Sequence, residues 1–289
     1  MQPILSQRIT TIIGINFNNL KGKATRLTFF ASIFKLTLKK NNVKILKRES
    51  FMSSLRRFFV DKIVEPLIIE GEEFRHAINV LRIKENEQII VLDNSGYEYV
   101  STITKINKNS FEAKIVEKQL SNVEATNSVK LICGYLKGDK TELVVQKAVE
   151  LGVKEIVVFD SQFSSSYINE KKLERLNKVS MEASKQCGRA IYPKITYQNN
   201  FKSALLEGEG YDNKLFACEF AFKNEVDYST LSGSTAIVVG SEGGFSKEEY
   251  ELSLSLGYKT VFLGKRILRA ETASISLLAI VMHRLKELE

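Results

Sequence analysis

Between Arg57 and Gln119 apolar and polar residues alternate with a period of two, in short runs separated by turn residues. The runs QIIVLD (88–93) and YEYVSTITKI (97–106) flank the turn NSG, and SFEAKIVEK (110–118) follows NKN with Phe111, Ala113 and Ile115 on one face. This spacing predicts an antiparallel meander closed into a small β-barrel. One helical segment, EEFRHAINVLR (72–82), interrupts it. The polar stretch QLSNVEATNS (119–128) has no period and reads as a linker, with a boundary near residue 124.

Beyond that boundary the period changes. VKLICGY (129–135) is a buried strand, and DKTELVVQKAVEL (139–151) a helix with Asp139 and Glu142 at its cap and Gly152 at its end. KEIVVF (154–159) is the next strand, and a long helix over 170–187 stops at Gly188. Strands follow near KITY, KLFAC, TAIVV and KTVFL, and a last helix starts near Thr272. Alternating strands and helices predict an α/β domain with a mostly parallel sheet covered on both faces. The stretch VVGSEGGFSKEE (238–249) runs a buried strand into Gly240, Gly243 and Gly244 and then into a capping box, Ser246 with Glu249. In an open α/β sheet such a loop is a ligand site. Neither the P-loop nor the G-x-G-x-x-G spacing is present, so the ligand need not be a phosphate.

Charge changes the picture in one respect. The formal net charge is +8, but ten of the 42 basic residues lie in 1–48, which holds no acid, so residues 49–289 carry 32 basic and 34 acidic residues. Global basicity therefore says nothing about a nucleic-acid partner, and only local patches count. One such patch is Arg56, Arg57, Arg75, His76 and Arg82, for which a solvated face is the competing reading. Residues 1–51 read as an N-terminal extension: either a transit peptide, with an organelle stroma or matrix as destination, or translated AT-rich sequence upstream of an initiator at Met52, which the Asn and Lys runs favour. Cys133, Cys187 and Cys218 are too far apart for a C-x-x-C pair, and with two histidines they complete no metal site. Widely spaced thiols fit a reducing, cytoplasmic setting. The apolar run ISLLAIVM is far shorter than the roughly 20 residues of a bilayer span, so no membrane is expected.

Four ordered stretches carry the candidate chemistry: KGDKTELVVQKAVELG (137–152), QCGR (186–189), GSEGGFSKEE (240–249) and LGKRILRAETA (263–273). Each alone has a structural explanation: a βα loop, a helix-terminal cation, a glycine turn, a solvated basic loop. In this order, together with RRFFV and VLR near the start, they resemble the RsmE family of ribosomal RNA methyltransferases in the SPOUT superfamily, from about Leu55 to the C-terminus. The resemblance implies a PUA-like RNA-binding β-barrel (52–123) and a trefoil-knotted methyltransferase domain (124–289), working as a homodimer without metal. It implies methylation of N3 of a uridine in 16S rRNA of the small ribosomal subunit, with S-adenosyl-L-methionine as methyl donor. A non-catalytic RNA-binding assembly factor is the alternative.

The positions matching the family's cofactor loops are Gly240, Glu242, Gly243, Leu263, Gly264, Ile267 and Leu268. Arg189, Arg269 and Glu271 are the expected catalytic residues, the arginines facing a developing uracil anion and the carboxylate, or that of Glu242, accepting the N3 proton. Arg266, which shares the charge-stabilising candidacy, joins Lys137, Lys140, Arg56, Arg57, Arg75 and Arg82 as expected RNA contacts. The chain departs from the family pattern at Ser241 and Lys265, where proline is usual, at Ala270 for threonine and at Cys187 for serine. The first two remove rigidity from the loops and the last two remove hydroxyls, but no charge is lost.

Overall fold

Five strands and one short helix make the first layer of the computed structural model, which describes residues 52, 54–164, 166–220 and 225–288. The two readings of residues 1–51 lie outside the described residues. Strands β1 (Arg56–Phe59), β2 (Leu67–Glu70), β3 (Gln88–Leu92), β4 (Tyr97–Ile106) and β5 (Ser110–Leu120) form one sheet in the order β1-β3-β4-β5-β2. The meander β3-β4-β5 is antiparallel, as its alternation dictates, while β1 runs parallel to β3. Register shifts after Val100 and Ile103 bend the long β4–β5 pair. Phe58 of one edge strand and Leu67 and Ile69 of the other share a single core with Ile89, Ile103 and Phe111, so the sheet curls on itself. Helix α1 (Gly71–His76) continues into a π-helical turn (Ala77–Leu81) and ends at Arg82, whose φ is 52°.

The second sheet has six parallel strands: β6 (Val129–Gly134), β7 (Glu155–Phe159), β8 (Ile195–Gln198), β9 (Asn213–Ala217), β10 (Thr235–Val239) and β11 (Lys259–Val261). Their order is β11-β9-β10-β6-β7-β8. Every residue of β6 and β10 is buried, which is why both read as near-continuous apolar runs. The exception, Lys130 of β6, carries its ammonium to Glu155 (3.0 Å) and to Glu207 (3.3 Å). The helices are α2 (Lys140–Glu150), α3 (Glu170–Cys187), α4 (Phe201–Leu206), α5 (Lys247–Ser255) and α6 (Ala270–Arg284). Helix α6 buries Ser274, Leu277, Leu278, Val281 and Met282, the stripe that a 3.6-residue period aims at a sheet. Gly188 closes α3 in the left-handed conformation, with φ 86°. The cap expected at Asp139 is not made: its side chain has no capping hydrogen bond, and the Thr141 hydroxyl accepts from the Leu136 amide instead, at 2.8 Å.

Arg56–Glu289 is one unit, with the two sheets changing over between Leu120 and Val129. Helix α3 joins the sheets. Lys178 and Lys185 pair with Glu72 and Glu73 of α1, the Phe59 and Tyr192 rings meet edge-on at 4.9 Å, and the Tyr192 amide donates to Asn94 at 2.7 Å.

Cys133 lies inside β6, 2 % exposed, and burial pushes its thiol up to about 12. The native protein should therefore leave this thiol unlabelled by a disulfide reagent at pH 8, and denaturant should expose it. The same shift ties stability to pH. The unfolded thiol ionises near 9 and the folded one does not, so this contribution is intact below pH 9 and is lost as pH rises towards 12. Labelling of Cys133 in the native state would contradict the placement.

Candidate functional site

Strands β10 and β6 are neighbours, and the chain leaves them towards opposite sides of the sheet, which makes their carboxyl ends the switch point of an open α/β sheet. Their loops touch. A Cβ on Gly134 would stand 2.5 Å from the Ser241 amide nitrogen, so the close approach of the two strand ends depends on a residue with no side chain. Gly134→Ala should destabilise the fold by about 1–3 kcal/mol. An unchanged urea midpoint would contradict the contact.

The loop after β10 is held from several sides. Phe245 is buried against Phe216 and Phe201, with ring centroids 4.4 and 5.3 Å away, and its ring fills the space beside Gly240. Gly244, with φ 69°, makes room for the Glu219 carboxylate, which accepts from the Phe245 amide at 3.2 Å. Gly243 packs directly on Phe163. The capping box at Ser246 and Glu249 is formed as its sequence requires. Its carboxylate also accepts from the Gln162 amide at 3.0 Å and so ties the loop after β7 to the loop after β10. Hydroxyls of Ser161, Ser164 and Ser241 complete that junction at 3.1 Å each.

Glu242 is the electrostatic hinge of the two loops. Its carboxylate accepts from the Lys137 amide at 3.1 Å and from the Lys140 ammonium at 2.9 Å. Burial alone would raise its pKa, but the Lys140 and backbone hydrogen bonds outweigh that and hold it below the ordinary carboxylate range. These two hydrogen bonds tie Glu242 to the loop after β6. Lys140, expected on RNA, is spent on this pair, whereas the Lys137 side chain is exposed.

The other glycine loop follows β11, which ends at Val261, and runs through Leu263 and Gly264. Gly264 has φ 100°, and a Cβ built there would meet no atom within 4 Å, so the loop is bent beside open space. Lys265, Arg266 and Arg269 are exposed there and pair with no carboxylate among the described residues. Between them Ile267 stands 96 % exposed, with Leu268 half-buried. Arg269 precedes α6 without capping it through its side chain, and Glu271 lies in the first turn. The Glu271 Oε2 is buried and accepts no hydrogen bond. A buried carboxylate oxygen without a partner is costly, and here it stands at a helix start that favours negative charge.

Arg189 is not part of this group, which corrects the expectation from QCGR. It is 4 % exposed, and its guanidinium donates to Glu124 at 3.0 and 2.8 Å and to the carbonyls of Val149 and Val153 at 3.0 and 2.9 Å. Those carbonyls lie where β7 begins, at the amino end of the sheet. The glycine loops lie at the other end, the six-residue β6 away, or roughly 17 Å. A cleft of about 310 Å³ between residues 122–126 and the end of α6 adjoins Arg189 at that far edge. Arg57 needs a similar correction as an RNA contact: its side chain is buried and bound to Glu98 at 2.7 Å. Arg56 is half-buried and paired with Glu87 at 3.3 Å, while Arg75 and Arg82 are exposed. Glu219, Phe163 and the serine junction have no counterpart in the sequence reading, because each depends on a partner in another loop.

Comparison with known proteins agrees with this geometry. A family model described as an RNA methyltransferase domain matches residues 123–282, and one described as an RNA methyltransferase PUA domain matches 69–116. Ribosomal RNA small subunit methyltransferase E of Mesomycoplasma hyopneumoniae is 36% identical over 225 residues, covering 77% of this chain and 96% of the relative. Two solved structures share the fold. A methyltransferase from Legionella pneumophila with the bound cofactor SAM has a TM-score of 0.73 at 26% identity, covering 79% of this chain and 97% of that one. The ribosomal RNA small subunit methyltransferase E of Neisseria gonorrhoeae, bound to S-adenosyl methionine, has a TM-score of 0.72 at 27% identity, covering 78% and 96%. With the glycine loops at the switch point and a relative matched over nearly its whole length, this chain belongs to the ribosomal RNA small subunit methyltransferase E family.

Proposed function

We propose that the chain methylates N3 of a uridine in 16S rRNA of the small ribosomal subunit, using S-adenosylmethionine, and that it works as a cytoplasmic homodimer whose 124–289 segment carries the trefoil knot. The observation that carries this reading is the pair of glycine loops at one end of the parallel sheet, the second followed by Arg266, Arg269 and Glu271: neither arginine pairs with a carboxylate among the described residues, and one Glu271 oxygen has no hydrogen-bond partner there. The residues present fit the cofactor. Gly264 bends around open space, and Ile267 offers an apolar side chain with nothing on it. Gly240, Glu242, Gly243, Leu263, Gly264, Ile267 and Leu268 would hold it, largely through backbone groups.

When bound, the cofactor supplies an electrophilic methyl group on a sulfonium. The protein's task is to make uridine N3 nucleophilic, because that nitrogen carries a proton. Glu271 accepts the proton within hydrogen-bond reach, and Arg269 or Arg266 stabilises the negative charge that spreads over the uracil. Residues 52–123 hold the RNA through phosphate contacts from Arg75 and Arg82, and Lys137 adds one beside the site; such contacts position RNA without reading its sequence. Calorimetry tests the binding half. S-adenosylmethionine should bind the folded protein with equal affinity in chelator, and no heat from a folded protein would count against the enzyme reading.

A further inference from the structure

Resting on that reading, we propose that Phe163 is the platform on which the target uracil stacks. Phe163 lies in the loop after β7, at the carboxyl end of the sheet, and its side chain is 47 % exposed. Single exposed apolar residues are ordinary, so exposure alone means little. Two further features separate this one. Its backbone is pinned on both sides: the Gln162 amide donates to Glu249, and the Ser164 hydroxyl bonds Ser161. It is also in direct contact with Gly243, where an added Cβ would stand 2.5 Å from both the Phe163 Cβ and its carbonyl oxygen. An aromatic ring open to solvent, carried on a backbone fixed against the proposed methyl-donor loop, offers a face to an unstacked base at little entropic cost.

The chain that follows Phe163 carries groups of the same kind. Tyr167 is 67 % exposed. The Lys172 ammonium donates to the Tyr167 backbone carbonyl at 2.7 Å and lies 4.9 Å from the ring centroid of the buried Tyr135, so the chain that follows Phe163 also carries a positive charge. Aromatic faces next to a cation are the chemistry by which proteins hold single-stranded nucleotides. An enzyme acting on a base edge must take that base out of its stack, and a ring whose backbone packs on the glycine loop would receive it near that loop.

Binding of small-subunit ribosomal RNA to the full chain, followed by fluorescence anisotropy, tests this whether or not a methyl group moves. Phe163→Ala and Phe163→Leu should each weaken binding about 5–100-fold, the range for losing one stacked base, and Phe163→Trp should stay within about threefold of wild type. S-adenosylmethionine affinity, read by calorimetry, should stay within about threefold in all three. RNA binding by Phe163→Leu at the wild-type level would overturn the proposal, because bulk without a π face would then suffice. So would a loss of cofactor binding in Phe163→Ala as large as its loss of RNA binding, which would make the ring a support for Gly243. Phe163-dependent RNA binding by a wild type that transfers no methyl group would sink the proposed reaction and leave the stacking role standing.

Discussion

Arg189→Ala should unfold the protein far more readily, by about 3–5 kcal/mol, rather than slow a chemical step. The substitution removes four hydrogen bonds at once and leaves the Glu124 carboxylate without its counter-charge; its other oxygen holds the amides of Ala190 and Ile191 at 3.0 and 3.1 Å. Glu124 is partly buried, 17 % exposed at its side chain, and the substitution leaves it without a counter-charge while two carbonyls lose their donor. Denaturant titration of the variant reads the loss directly. If Arg189→Ala does not fold, Glu124→Gln keeps the shape and removes one charge, and should still cost well over 1 kcal/mol. A variant at Arg189 with wild-type stability and a collapsed turnover would restore it to the reaction.

Arg269→Ala and Glu271→Gln should act in the opposite way, leaving stability nearly unchanged and lowering turnover by about 10²–10³-fold, as removal of one preorganised group at a developing charge does. Arg269 is exposed and caps nothing with its side chain, and Glu271 offers an oxygen that no protein group uses, so neither substitution leaves a buried partner behind. Cofactor affinity should change little in Arg269→Ala. Full turnover in both variants would take them out of the chemistry.

The elements were legible where period and punctuation agreed. Helix α3 runs from Glu170 to Cys187 because its apolar stripe meets a capping Asn169 at one end and Gly188 at the other, and β10 is an uninterrupted apolar run. The four-residue β2 and the six-residue α4 are too short to show a period. The candidate site divides along the same line. Gly240, Gly264 and the Ser246–Glu249 box are local statements about backbone and caps, and they stand where the sequence put them. The fate of Arg189 hangs on Glu124, 65 residues away, and that of Lys140 on Glu242, 102 away, and no window of one sequence contains both partners. Phe163 sits in the polar stretch DSQFSSSY, where only its contact with Gly243 sets it apart. The family motifs therefore mark where the glycine loops lie, while the partners of their charged residues are set by packing between distant segments.

The reaction itself is decided by one product. Small ribosomal subunits lacking the modification are incubated with the protein and methyl-labelled S-adenosylmethionine, and the RNA is digested and its nucleosides identified by tandem mass spectrometry. The account predicts labelled N3-methyluridine. A methyl group on carbon, on the ribose or on another base, or no transfer by a folded protein that binds the cofactor, would contradict it.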